Sequence, residues 1–206
     1  MWFLPSRARP AGASRFFKAY RDTGASTPGV LWLDADDPSE YELSELPNTW
    51  KAIVEPRHSS LGAMTNAFFD TFEQAPWFGV IADDAVPVTE GWDMRLVEAA
   101  GSDGVAWGAD GINNGKQFTH GVIGGDLVRE MGWLILPGLH RLYGDNVWTE
   151  IGRRRGVLRY QPDVVIEHWH FSNGKSPYDE TYAKPDSGGD KAIFDWWLAS
   201  LDKVAA

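Results

Sequence analysis

Short apolar runs alternate with helically spaced apolar positions along the first half of the chain. Trp2 to Pro5, Val30-Leu31-Trp32-Leu33, Trp50 to Val54 and Phe78-Gly79-Val80-Ile81 are runs of four or five residues. Each is too short for a helix and closes on polar or turn-forming residues, so each predicts a buried strand. Between the first two, Phe16, Phe17 and Tyr20 recur at a spacing of three to four, on a helix predicted from Pro10 to about Asp22. Proline suits a first helical position, and Thr23-Gly24 ends the element. Leu61, Met64, Phe68 and Phe72 mark a helix from about Leu61 to Gln74, with Ser59-Ser60 as its cap. Residues 38–48 are polar and hold a short helix at most. The resulting alternation of strand and helix implies a mostly parallel central sheet with helices on both faces, joined by right-handed crossovers.

Beyond the fourth strand the pattern is less regular. Gly91 to Ala100 reads as a short helix, Gly104 to Gly108 as a strand and Phe118 to Ile123 as another. Helices are predicted from Gly125-Asp126 to about Met131 and from about Val147 to Arg154, and late strands at Val157 to Tyr160 and Val164 to Glu167. Residues 171–190 are rich in Gly, Ser, Pro, Asp and Lys without periodicity, which suits a functional lid or a tether. Asp190 is placed to cap a last helix with Ile193, Trp196, Trp197 and Leu201 on one apolar face. A single α/β domain is expected, with residues 1–170 as its body and 171–206 as a lid loop and C-terminal helix packed on it.

Composition narrows the class. A hydrophobic share of 43% in 206 residues supports a core of this kind. The net charge of −10 and pI of about 4.9 argue against a protein that coats nucleic acid, which needs a basic surface. With no Cys, disulfides, Cys zinc sites and thiol nucleophiles are excluded, as fits a reducing cytosol. The opening MWFLPSRARP is apolar for only four residues and reads as neither a signal peptide nor an anchor, so a cytoplasmic location without membrane partners is expected. Eleven Trp leave enough for the core and for a site wall that stacks on sugar or base faces. No G-x-G-x-x-G follows the first strand and no G-x-x-x-x-G-K-[ST] occurs, so the dinucleotide fingerprint and the phosphate loop are both absent.

Candidate chemistry gathers at the strand ends. The run FGVI stops at Asp83-Asp84. Ligands of open α/β sheets bind outside the carboxyl ends of the strands, and carboxylates there suit a divalent cation and, through it, a diphosphate. The same pair also suits the capping of a turn. The second strand ends in Asp34, with Asp36 and Asp37 beyond. In His168-Trp169-His170, alternation puts both imidazoles on one face, as metal or phosphate ligands or as surface hydrogen bonders. Asp145 opens a helix, either as an N-cap or as a general base aimed into a pocket. Arg7, Arg9 and Arg57 follow the early strands, where a guanidinium fork suits phosphate.

With these positions in hand, the chain resembles the small, family-2-like glycosyltransferases of the GT-A fold, common in phages and bacteria. The likeness runs over roughly residues 2–170. It is carried by PSRARP after the first strand, LDADD after the second, IADDAVP with Gly91-Trp92 beyond, HGVIGGDLVREMGW, HRLYGDNVW and the late strand ending IEHWH. The resemblance implies a GT-A-like (Rossmann-like) single domain, a nucleotide-diphosphate sugar donor, with a UDP-sugar favoured, and Mn2+ or Mg2+. The family's D-x-D is here Ala82-Asp83-Asp84, so its first acid is missing. The metal role carries to Asp84, with His168 or His170 as the late-strand ligand. Donor contacts carry to Pro5, Ser6, Arg7, Asp34, Arg57, Asp83 and Lys175, and the general base of a single displacement carries to Asp145. Trp107, Asp110 and His120 fall where acceptor or sugar contacts would lie. Lys175, Tyr178 and Lys184 would fold over the diphosphate.

The favoured acceptor is a hydroxymethylated pyrimidine of phage DNA, in an infected bacterial host. It calls for a basic rim, for which Lys116, Arg141, Arg153, Arg154, Arg155 and Lys175 are candidates. The alternatives are the same chemistry on a virion protein or surface glycan, metal-dependent phosphoester hydrolysis, and a non-catalytic Trp-rich sugar-binding module.

Overall fold

The computed structural model describes residues 1–113, 115–176, 178 and 189–204. Its strands are β1 (Trp2–Ser6), β2 (Gly29–Asp34), β3 (Trp50–Glu55), β4 (Trp77–Val80), β5 (Ala85–Pro87), β6 (Val105–Ala109), β7 (Val122–Gly124) and β8 (Leu158–His168). They form one sheet in the order β3-β2-β1-β4-β7-β6-β8-β5. Neighbours pair in parallel from β3 to β4 and again between β6 and β8, whereas β7 and β5 run against their neighbours. The α/β fold with a mostly parallel, GT-A-like sheet is therefore as the sequence predicts.

Alternation along β1 assigns the two faces. Trp2 and Leu4 join Leu31 and Leu33 in a core layer closed by α1 (Pro10–Asp22) and α3 (Trp92–Ala100). Phe3 joins Val30 and Trp32 in the other layer, under α2 (Leu61–Thr71), α4 (Gly125–Met131), α5 (Gly144–Arg155) and α6 (Asp190–Val204). Trp197 of α6 sits in that layer, with Ile193, Phe194 and Leu198 packed against it, whereas Trp196 points to solvent.

Tryptophan is mainly a core residue here. Trp2, Trp32, Trp50, Trp77, Trp92, Trp107, Trp148 and Trp197 are all buried. Burying an aromatic of this size contributes roughly 4–6 kcal/mol as an upper bound. The Trp2 ring lies over β4, and a Cβ on Gly79 would sit 2.2 Å from it. Fully buried Asp93 accepts from the Ser26 and Thr27 amides and from the Thr27 hydroxyl, each at 2.8 Å, and so ties the start of α3 to the turn before β2.

Several boundaries differ from the sequence reading. The two late strands are one, β8. It passes Pro162 because its register against β6 jumps from Gly108–Gln161 to Ala109–Val165, and a bulge needs no ladder N–H from proline. The strand read at 118–123 narrows to β7, and Phe118 instead donates its amide to Thr149 Oγ1 at 2.9 Å. The residues after Asp84 form β5, paired antiparallel to the end of β8. The expected Ser60 cap is present, its Oγ accepting from the Ala63 amide at 3.0 Å, but α2 stops at Thr71 rather than Gln74. Among the described residues, no helix is long and apolar enough to cross a membrane.

Candidate active site

The carboxyl edge of the sheet collects the polar side chains. Ser6 ends β1, Asp34 ends β2, Asp83 and Asp84 follow β4, and His168 ends β8. His120 reaches the same edge from the opposite direction, because β7 is antiparallel and begins where its neighbours finish. Its backbone turns through φ 43°, in the left-handed region, immediately before the strand.

Both acids after β4 are buried, at 6% and 7% exposure, so their neighbours decide their chemistry. Asp83 Oδ2 accepts from Ser6 Oγ at 2.7 Å, and its Oδ1 faces Arg9 Nη1 at 3.3 Å. Burial pushes the Asp83 pKa up, Ser6 and Arg9 oppose this, and the Asp84 charge adds to the rise. Asp84 Oδ2 lies 3.4 Å from His168 Nε2 and 3.7 Å from Arg9 Nη1. The His168 and His120 rings meet edge to face at 4.6 Å. Ligand atoms of Asp84, His120 and His168 all lie within 4.8 Å of one another. Burial, then the neighbouring His168, pushes the His120 pKa down to about 4, against the pull of Asp84 and Asp110. His120 is therefore neutral at pH 7, the form that binds metals.

The β2 acids fold the opposite wall. Arg7 Nη1 bridges Asp34 at 2.9 Å and Asp36 at 2.5 Å, and Asp37 accepts the Ala8 amide at 2.7 Å. Tyr41 contacts Ser6 Oγ at 3.2 Å and donates to Asp37 at 3.1 Å. Asp145, at the start of α5, accepts from the Asn146 amide at 2.9 Å and from the Gln117 side chain. Burial raises its pKa, while those two bonds and the His168 charge oppose the rise.

The other predicted site residues are placed as follows. Pro5 is half-buried on β1 and Arg57 is exposed beyond β3, near enough to Asp36 to act on its charge. Trp107 is inside the core against Tyr160 and Phe118. Asp110 organises its own loop, accepting from the Ile112 and Asn113 amides and from Thr119. His170 bonds Ser172 and meets the His168 ring at 5.2 Å without adding a ligand atom to the Asp84 group, and Lys175 pairs with Glu167 at 2.8 Å. Tyr178 is exposed with its ring on Phe171, and Lys184 lies outside the described residues. On the proposed basic rim, Arg153 and Arg154 both pair with Glu150, and Arg155 pairs with Glu130.

Sequence reasoning did not anticipate His120 beside Asp84, the Gln117 bond to Asp145, or Tyr41. The usable signal for His120 was its position before the apolar GVIG run, once that run is taken as antiparallel.

No family model matches the chain, and no curated protein matches it. Solved structures do. The crystal structure of S. aureus TarS matches with a TM-score of 0.59 at 10% identity, over 81% of this chain and 36% of that one. S. aureus TarS 1-349 matches with a TM-score of 0.55 at 10% identity, over 81% of this chain and 59% of that one. The chain thus spans less than two thirds of either, and at this identity the likeness concerns the fold.

Proposed function

We propose that the protein is a metal-dependent glycosyltransferase that moves a sugar from a nucleotide-diphosphate sugar to an acceptor hydroxyl. The observation that carries this reading is the convergence of Asp84, His120 and His168 beside Arg9, on the sheet edge that Asp145 also joins. The sheet is shared with TarS, itself a family-2-like glycosyltransferase, and the order of the motifs along the chain adds support.

One carboxylate and two imidazoles fit a divalent cation. His120 Nδ1 is buried and has no hydrogen-bond partner among the described residues, as a metal-facing nitrogen would. Two nitrogen donors favour Mn2+ over Mg2+, which prefers an oxygen shell. Such an ion, when bound, supplies positive charge for the departing diphosphate.

The remaining roles belong to the chain itself. Asp34 Oδ1 is buried and without a partner among the described residues, and it would accept the ring N–H of a uracil-like base. Arg7 braces that carboxylate from the other oxygen. Asp145 would take the proton of the acceptor hydroxyl as its oxygen bonds to the anomeric carbon and the bond to the diphosphate breaks. A raised pKa strengthens Asp145 as a base, and Gln117 and Asn146 hold its orientation. The DNA acceptor draws the least support, since Glu150 and Glu130 offset two of the three charges of Arg153, Arg154 and Arg155 on that rim.

Thermal shift against a panel of nucleotide-sugars, with and without Mn2+, tests the reading. The expected result is a shift for one UDP-sugar that requires the metal and disappears in Asp84→Asn. Asp145→Asn should keep that shift and lose transfer to every acceptor, hydroxymethylated oligonucleotides and glycans alike. No shift for any donor, in either condition, overturns the proposal.

A further inference from the structure

Arg9 occupies an unusual position for a cation. Its Nη1 faces Asp83 Oδ1 at 3.3 Å and Asp84 Oδ2 at 3.7 Å. That same Asp84 oxygen is the one that faces His168 Nε2 at 3.4 Å. One carboxylate oxygen is thus shared between a permanent cation and the group that would hold a divalent ion. Arg9 neutralises two adjacent buried acids that would otherwise repel each other.

The backbone under Arg9 is pinned, and its guanidinium is held by the acid pair. The Ala8 amide is held by Asp37, the Arg9 amide by the Tyr41 hydroxyl at 3.4 Å, and α1 starts at the next residue. The first turn of α1 rests on the acids themselves, since a Cβ on Gly12 would lie 2.7 Å from the Asp83 carbonyl oxygen. The guanidinium, at 18% side-chain exposure, lies against the carboxylates and borders solvent, so an exchange of its partners needs side-chain rotation rather than main-chain movement. Phosphate oxygens are the natural alternative partners for such a fork.

We infer that Arg9 is an internal counter-cation, holding the acid pair until a nucleoside diphosphate draws its guanidinium away, so that diphosphate and divalent cation load together. This rests on the metal-dependent reading above. With Arg9 on the acids, an incoming dication meets a like charge a few ångströms away and binds weakly. With Arg9 on the diphosphate, that repulsion is relieved and the dication gains the phosphate charge as well. The coupling is reciprocal, so Mn2+ must tighten the diphosphate by the factor by which the diphosphate tightens Mn2+.

The experiment is Mn2+ titration followed by electron paramagnetic resonance, with and without UDP, in the wild-type chain, Arg9→Gln and Arg9→Lys. Arg9→Gln should bind Mn2+ alone about tenfold more tightly than wild type, and the tightening caused by UDP should shrink by a similar factor. Arg9→Lys keeps the charge and should bind Mn2+ alone as weakly as wild type, with a reduced response to UDP. That variant carries the test if Arg9→Gln fails to fold. Mn2+ binding that is unchanged or weaker in Arg9→Gln, or coupling to UDP that is unchanged in both variants, overturns the inference and leaves the metal site standing. No Mn2+ binding in any of the three proteins, with or without UDP, overturns the metal site and the inference with it.

Discussion

The two halves of the sheet deliver their side chains to the same edge by different routes. From β3 to β4 every strand is parallel, and the edge residues Ser6, Asp34, Asp83 and Asp84 lie at or just past a strand end. From β7 to β5 the directions are mixed, and the edge receives His168 from a strand end but His120 from a strand start. The first half is a scaffold in which chain order and spatial order agree. The second half is assembled by pairings between distant segments, and it contributes both imidazoles and the candidate base. Stability and chemistry are therefore separable to a degree, and four substitutions probe that separation.

The largest effect is expected in the parallel half. Phe68 of α2 is fully buried and stacks on Phe3 with ring centroids 4.7 Å apart. Phe68→Ala should cost about 3–5 kcal/mol in urea unfolding, by lost transfer energy and a residual cavity. A loss below about 1 kcal/mol would mean that the parallel half is not the stabilising unit.

An intermediate effect is expected where α6 is bolted to the second half. Asp190 accepts the amides of His140, Arg141 and Leu142 at 2.8, 2.8 and 2.7 Å, just before the helix that bears Asp145. Asp190→Ala leaves those donors without their carboxylate and should cost about 1–3 kcal/mol. Burial pushes the Asp190 pKa up, but the three amide bonds outweigh it and the net shift is downward. A depressed carboxylate pKa adds stability above the unfolded value, near 4, and that stability is lost as pH falls through the folded value. The wild-type chain should therefore lose more stability than Asp190→Ala as pH falls below about 4. Parallel acid unfolding curves for the two proteins would rule this out.

The smallest effect on stability is expected at His120, where function should suffer most. His120→Ala should change unfolding free energy by about 1 kcal/mol or less at pH 7 and weaken Mn2+ binding by about tenfold or more. His170→Ala, which removes the Ser172 bond and the ring contacts with His168 and Phe171 but none of the three clustered ligand atoms, should leave Mn2+ binding within about twofold. A folded-state pKa of about 4 against an unfolded value near 6.5 means that the unfolded chain takes up the proton first. Stability should thus fall as pH drops from about 6.5 to 4, and His120→Ala should flatten that slope. Equal losses of Mn2+ affinity in the two His variants would erase the distinction between them.

Legibility follows the same division. The first three strands, α1 and the Ser60 cap are readable because each depends on local spacing: an apolar run, a three-to-four repeat, a hydroxyl before a helix. Asp83 and Asp84 are readable as edge residues for the same reason, since the run before them ends at the rim of a parallel sheet. His120, β5 and the continuity of β8 through Pro162 are not readable locally. Each depends on which distant strand becomes the partner and in which direction it runs. Trp107 shows the limit on a single side chain, because its strand was legible while the face it turns to depends on its pairing with β8, where it lies opposite Tyr160.

By itself, then, the sequence determined the α/β class, the first-half strand and helix positions, and the acids and imidazoles available to a site, because hydrophobic period and residue chemistry are local properties. The tertiary structure alone decided that the ligand atoms of Asp84, His120 and His168 meet, that His170 contributes none to that group, that Trp107 lies in the core, and that Arg9 rests on the acid pair. Those outcomes depend on strand direction and register between segments far apart in the chain, and no local pattern encodes either.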